Sequence, residues 1–259
     1  MSESQPSRVF MFDGDDPDMI HARQEARATF GYFWRELAWE RRRIVPALDL
    51  ACVKAPFSDG PRGARTSSDK PRVEEMWISE IDFDGRDVSG ELLNQPNWLK
   101  SIKQGDAVRL PLEQVSDWMY VIGGKVYGAF TVQLLRSRMP KKARTEHDQA
   151  WGLDFGDPSN VRIVEHPASL NGDHPMSINM GDSLQQAIAS NPSLMTPDPR
   201  GWTMLHHLAL AGSTTGVKVL LDAGADPNQR TADGRTAAQL ADTLAWDDVV
   251  TLLAKRRRG

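Results

Sequence analysis

From Asp198 to Asn228 the chain reads Asp-Pro-Arg-Gly201-Trp202-Thr203-Met-Leu205-His206-His-Leu208-Ala-Leu-Ala-Gly212, and then Val217-Lys-Val-Leu220-Leu221-Asp-Ala-Gly224-Ala225-Asp226-Pro-Asn228. A displacement of about 33 residues carries Gly201 onto Gly234, Thr203 onto Thr236, Val217 onto Val250 and Leu220 onto Leu253. Each unit holds a turn and two short apolar helices. A period of that size is the mark of stacked helical units, so the C-terminal third is expected to be all-α and built by stacking.

The segments Gly201-x-Thr203-x-Leu205-His206 and Leu220-Leu221-x-x-Gly224-Ala225-Asp226-x-Asn228 resemble the ankyrin repeat. In that family the signature residues make turns and stacking contacts, while the finger tips and the inner helix face bind proteins. By position, the resemblance implies a protein-binding surface at Pro199, Arg200, Trp202, Leu210 and Ala211, then Ala232, Asp233, Arg235 and Thr243. Trp202 and Arg200 are side chains of the kind that dominate binding hot spots. The competing place for Trp202 is against Leu194 and Met195 of the preceding loop. His206 falls on the family's usual histidine and is expected to make a structural hydrogen bond. The array is expected over 176–259 as about two and a half units. Asp182-Ser183-Leu184-Gln185 opens a further helix, with Gln185 placed to close a capping box. That helix is either the second of a preceding unit or a first helix followed by a truncated second over Pro192 to Met195. So few units bury little core, which suggests docking on the rest of the chain through Leu184 and Ile188 or through the linker.

Residues 1–158 read as an α+β unit. Asp13 to Asp18, with Pro17, precede one helix whose apolar face carries Phe30, Phe33 and Trp34, and which ends at Arg41-Arg42-Arg43. The acidic cluster lacks the ligand spacing of a calcium loop and reads as a helix start. Strands follow at Leu48 to Phe57, Val73 to Ile81, Val88 to Leu92, Ala107 to Leu110, Val115 to Val121 and Val126 to Leu135, the last two joined at Gly123-Gly124-Lys125. Ser58 to Pro71 reads as a loop. Residues 159–175, rich in Pro, Gly, Asp and Asn, read as a linker with room for a short strand at Val161 to Val164. The fold class is therefore α+β: an N-terminal helix plus an antiparallel β-sheet domain, followed by a short all-α repeat array.

A second resemblance lies in Val73-Glu74-x-Met76-Trp77, Gly90 with Asn94-x-Pro96, Lys103-x-Gly105-Asp106-x-Val108, Ser116-Asp117-Trp118-Met119 and Glu146-His147 through Asp157-Pro158. These are similar to the YegJ-like bacterial domain of unknown function, over about Pro17 to Pro158. The resemblance implies a fold unit and carries no activity.

For chemistry, Asp117, Glu74 and Glu75 beside Trp77 and Trp118 have the residue types for acid–base work or glycoside hydrolysis. The structural alternative is that Asp117 caps a turn or accepts an indole N–H. No Gly-rich loop precedes a helix, and the six histidines and Cys52 show no zinc spacing, so neither a metal nor a cofactor is expected. Lys141-Lys142 and the C-terminal basic run are read as solvated, and a net charge of −4 argues against general nucleic-acid binding. One cysteine, a polar start and no run of 18 apolar residues lead us to expect a cytoplasmic protein. The expected function is non-catalytic binding of another protein, in its sharper form an immunity protein that neutralises a secreted bacterial toxin. The alternative is an enzyme whose repeats recruit its substrate.

Overall fold

The computed structural model describes residues 16–60 and 73–256. The acidic residues before Asp16 and most of the Ser58 to Pro71 loop lie outside them.

Helix α1 (Pro17–Ala28) starts where Asp16 accepts a hydrogen bond from the Asp18 amide at 3.1 Å, with Pro17 in the first turn. The capping expected of the acidic cluster is thus seen at Asp16. The single helix expected from the sequence is two. The Thr29 hydroxyl donates back to the Glu25 carbonyl at 2.7 Å, the chain turns, and α2 (Phe30–Glu40) begins. The turn lays Phe30, Phe33, Trp34 and Ala38 on the sheet as one buried stripe.

The sheet has strands β1 (Leu48–Phe57), β2 (Glu74–Phe83), β3 (Asp87–Leu92), β4 (Ala107–Pro111), β5 (Asp117–Ile122) and β6 (Lys125–Gly128). Their order is β4-β3-β2-β1-β5-β6, and every neighbouring pair is antiparallel. Period-two alternation assigns the faces. Val53, Ala55, Met76, Ile78, Trp118 and Tyr120 meet α1 and α2, whereas Cys52, Met119, Val121 and Val126 pack with Phe155 in a separate cluster. Strand β5 is buried on both faces, so it reads as a continuous apolar run.

The expected strand from Val126 to Leu135 is half right. It stops at Gly128, and α3 (Phe130–Ser137) follows. Gly128 and Ala129 hold φ of 75° and 60°, which ends the strand. Asp117 then receives the first free amides of α3, so the apolar run continues as a helix. A second helix, α4 (Lys141–Trp151), carries Lys141 and Lys142 on its exposed first turn.

The segment after α4 is packed along the sheet without forming the strand expected at Val161 to Val164. The Gly128 amide donates to the Arg162 carbonyl at 2.7 Å, and the Tyr120 hydroxyl donates to Ile163 at 3.1 Å. Further on, Ser169 and His174 are buried against α2.

The repeats then follow as α5 (Pro175–Asn179), α6 (Gly181–Ser190), α7 (Met204–Leu210), α8 (Thr214–Asp222), α9 (Ala237–Thr243) and α10 (Asp247–Arg256). Helices α7 and α9 stack side by side, as do α8 and α10, and α6 stacks on α8. That contact puts α6 in the second-helix position. A short 3-10 turn does cover Pro192–Met195. The capping box expected at Asp182 and Gln185 is not formed, because α6 starts at Gly181 directly after α5.

Candidate functional site

The repeats and the sheet domain share one interior. Trp202, Leu210, Ala211 and Leu240 are buried in the same cluster as Phe83 and Trp34, while Trp39 of α2 joins the array's own cluster with Leu205 and Ile188. Docking of the array is therefore observed, mainly through the inner face of the repeats. The segment expected as a linker takes part, and Leu184 and Ile188 lie in the array cluster that Trp39 enters.

Three devices hold this seam. Arg35, only 2% exposed, donates to the carbonyls of Ser169 at 2.6 Å and Gly172 at 3.2 Å. Its guanidinium lies over the rings of Tyr32 and Trp246 at 5.0 and 5.1 Å. Trp246 also meets Tyr32 edge-on at 5.6 Å and donates its indole N–H to the Leu210 carbonyl at 3.1 Å. The second device is ionic: Glu36 accepts from Arg43 at 2.8 Å and pairs with His174 at 3.1 Å. The His174 Nδ1 accepts from the Met176 amide, so its Nε2 carries the proton toward Glu36. Burial opposes ionisation of Glu36, yet His174 and Arg43 hold its carboxyl below the ordinary range. The third device is the β2–β3 turn. Gly85, at φ 85°, lets the turn backbone approach Leu240, Arg235 and Leu210; a Cβ there would lie 2.6 Å from the Leu240 side chain.

Above that turn the seam opens into a cleft of about 260 Å³. One wall is the sheet, with Asp82, Asp84, Asp87, Ser89 and Arg109; the register sets Asp82 beside Ser89 and Ser89 beside Arg109. The other wall is Arg200, Trp202, Ala232, Asp233 and Arg235 from the finger tips. Arg109 holds Asp84 and Asp87 at 2.6 and 3.0 Å, and Arg41 pairs with Asp82 at 2.9 Å. Arg235 pairs with Asp233 at 2.6 Å and lies over the Trp202 ring at 5.8 Å.

The structure thus brings together Arg200, Trp202, Ala232, Asp233 and Arg235 from the surface expected of the repeats. Pro199 is exposed beside them, and Thr243 is exposed on α9. Leu210 and Ala211 require correction, being 1% and 0% exposed: they pack into the seam and offer no free surface. Trp202, 8% exposed, is not a free finger-tip side chain: it packs with the sheet domain's core cluster. The sheet wall was missed, since an Asp-Gly dipeptide announces only a turn. A signal for the seam did exist in Arg35 and Glu36, charged residues inside an aromatic stripe, where charge is buried only with partners.

The carboxylates weighed for chemistry are engaged in the fold. Asp117, fully buried, accepts from the amides of Trp118, Phe130 and Thr131 at 2.9 Å each and from the Thr131 hydroxyl at 2.5 Å. Burial pushes its carboxyl up, and Lys54 at 3.8 Å with these donors acts against that. It caps α3; the Trp118 indole N–H goes to the Ala26 carbonyl at 2.7 Å. Glu74 accepts from the Asn97 amide at 2.9 Å and from its side chain, while Glu75 pairs with Arg23 at 2.9 Å and accepts from Ser116. His206 has the expected structural part. Its Nδ1 accepts from the Thr203 amide at 3.1 Å, leaving Nε2–H for the Gln229 carbonyl at 3.1 Å in the next finger. No group of three or more His, Cys, Asp or Glu among the described residues is placed to hold a metal ion, and no described helix is long and apolar enough to cross a membrane.

Fold and cleft together define an α+β protein whose short repeat array packs against α2 and the β2–β3 turn of its sheet domain. Comparison with known proteins matches two stretches of the chain. Residues 16–155 match the family described as uncharacterized protein conserved in bacteria (DUF2314), and residues 189–241 match ankyrin repeats. The chain belongs to that bacterial family and carries ankyrin repeats after its family domain. It is 43% identical over 256 residues to a putative ankyrin repeat protein of Neisseria meningitidis serogroup B, covering 96% of this chain and 98% of that protein. It is 29% identical over 98 residues to the uncharacterized protein YegJ of Escherichia coli (strain K12), covering 38% of this chain and 58% of that protein.

Proposed function

We propose that this protein is a non-catalytic binder of another protein and that the partner is read at the composite cleft. The observation that carries the reading is the convergence of Arg200, Trp202, Ala232, Asp233 and Arg235 with the sheet's Asp82, Asp84, Asp87 and Arg109 around one opening. Ankyrin repeats bind proteins through finger tips and inner face; here the inner face is occupied by the sheet domain, which leaves the tips and the adjoining wall. The ankyrin match and the ankyrin-named relative support a binding role. Arg beside Trp in a partly enclosed recess is the composition of binding hot spots.

A photo-crosslinking side chain in place of exposed Ala232 tests this in the full chain. The expected outcome is a discrete adduct with one partner, lost when Arg200 is changed to Glu. Adducts formed from the first turn of α4 and not from Ala232 would refute it. The sharper version makes the partner a secreted bacterial toxin and this chain its immunity protein, for which the support is the acidic balance of −4 facing a basic partner. Protection of toxin-exposed cells by the wild type and equally by the Arg200→Glu variant would count against the cleft. No protection by either would remove the toxin.

A further inference from the structure

One feature of the cleft is unbalanced. Arg235 uses one nitrogen on Asp233, while its Nε and Nη1 are buried and have no hydrogen-bond partner among the described residues. Leaving a buried donor unpaired costs free energy, and native proteins seldom keep such donors without cause. The guanidinium is fixed in place: Trp202 lies beneath it, and the Gly85 turn lies beside its Nη1. The Trp202 ring is itself backed by His207 at 4.9 Å.

The acids nearby do not supply the missing acceptor. Asp82 is held by Arg41, Asp84 and Asp87 by Arg109, and Asp233 already accepts from the other Arg235 nitrogen. Arg200 stands on the same wall, 67% exposed at its side chain, and among the described residues its side chain pairs only with Asp198, two residues away, at 3.3 Å. An exposed pair of that kind is weak, so Arg200 is available to a better acceptor. The opening, about 260 Å³, admits one or two side chains and excludes a folded domain. A planar guanidinium fork suits a carboxylate, and charge-assisted bonds are roughly twice as strong as neutral ones.

We propose that the cleft receives a carboxylate presented by the protein partner, an acidic side chain or a chain terminus, seated on Arg235 above Trp202 and closed over by Arg200. This rests on the protein-binding reading and specifies the chemistry of what is bound.

The test uses the full chain labelled for NMR, following the Trp202 indole N–H and the Arg235 Nε–H. The probes are blocked tri-glutamate, tri-glutamine and tri-lysine peptides. Tri-glutamate is expected to shift both signals saturably, and Arg235→Gln to weaken its binding about tenfold. Arg200→Gln, at an exposed position that leaves the seam intact, is expected to weaken it about threefold. Equal shifts from tri-glutamine, or saturation by tri-lysine without a response to tri-glutamate, would overturn the proposal. A partner that bound wild type and Arg235→Gln equally would also overturn it while leaving the protein-binding reading in place. Binding of tri-glutamate with no protein crosslinked at the cleft would instead fault that reading and keep the carboxylate pocket.

Discussion

Replacing Gly85 by Ala probes the seam with an internal control. Two costs are expected. Holding a residue with a Cβ at φ 85° costs about 1–2 kcal/mol. The new Cβ would also stand 2.6 Å from the Leu240 side chain and 3.0 Å from Arg235, an overpacking that costs about 1–3 kcal/mol. Gly105 separates the two, because its φ is 83° and a Cβ there would meet nothing within 4 Å. Gly105→Ala should therefore show the backbone cost alone. Urea unfolding of both variants, with hydrogen exchange across α7 and α9, measures the difference. Gly85→Ala is expected to lose about 1–3 kcal/mol more than Gly105→Ala and to release protection in both helices. In a Leu240→Ala background, Gly85→Ala is expected to cost less than in the wild type, since the two positions are coupled through one contact and the cycle removes the separate cost of emptying the Leu240 site. Equal losses at Gly85 and Gly105, with array protection unchanged, would refute the account of how turn and repeats meet.

Three further outcomes follow from the geometry. Asp117→Asn turns a carboxylate surrounded by donors into an amide facing them and leaves Lys54 without its charge partner; a loss of about 3–5 kcal/mol is expected in chemical denaturation. Burial lowers the pKa of His206 and His207 below 6.5 in the folded state. The unfolded chain then binds more protons between the folded and unfolded values, so the stability these residues contribute is present above pH 6.5 and lost as pH falls below it. Melts from pH 7.5 to 5.5 should show that decline, and His207→Gln should flatten part of it; a flat wild-type profile would contradict it. Trp246→Ala, which removes the ring shared by Tyr32, Arg35 and the Leu210 carbonyl, is expected to cost about 3–5 kcal/mol in the same denaturation assay. A loss below 1 kcal/mol would mean that the ring carries little of the seam.

Much of the architecture was legible from local pattern. The strand β2 follows from alternation, the return strand β3 from the turn before it, and the repeat helices from a period that few other folds share. Two boundaries were not legible. Thr29 breaks the first helix through a hydroxyl-to-carbonyl bond that propensity scarcely registers. Val126 to Leu135 is apolar throughout, and what converts its second half into a helix is Asp117, a residue more than ten positions away that supplies its first acceptors. The finger-tip half of the cleft was readable because repeat position specifies exposure. Its sheet half was not, since Asp82, Asp84, Asp87 and Arg109 look like ordinary surface charge until a docked neighbour gives them a facing wall. Leu210 was misplaced for the same reason: position in a repeat says which face a residue takes and cannot say that the same chain covers that face.

The seam also bears on how the array can change in length. Repeat arrays ordinarily gain or lose units freely, because each unit answers only to its neighbours. Here the sheet domain grips two successive units at once, with Leu210 and Trp202 from the first and Arg235, Leu240 and Trp246 from the second. A duplicated unit inserted between them would carry Trp246 away from Tyr32 and Arg35 of α2. A unit added after α10 would disturb none of these contacts. The chain is thus ratcheted: its repeats can be extended outward, and the number gripped by the sheet domain is fixed.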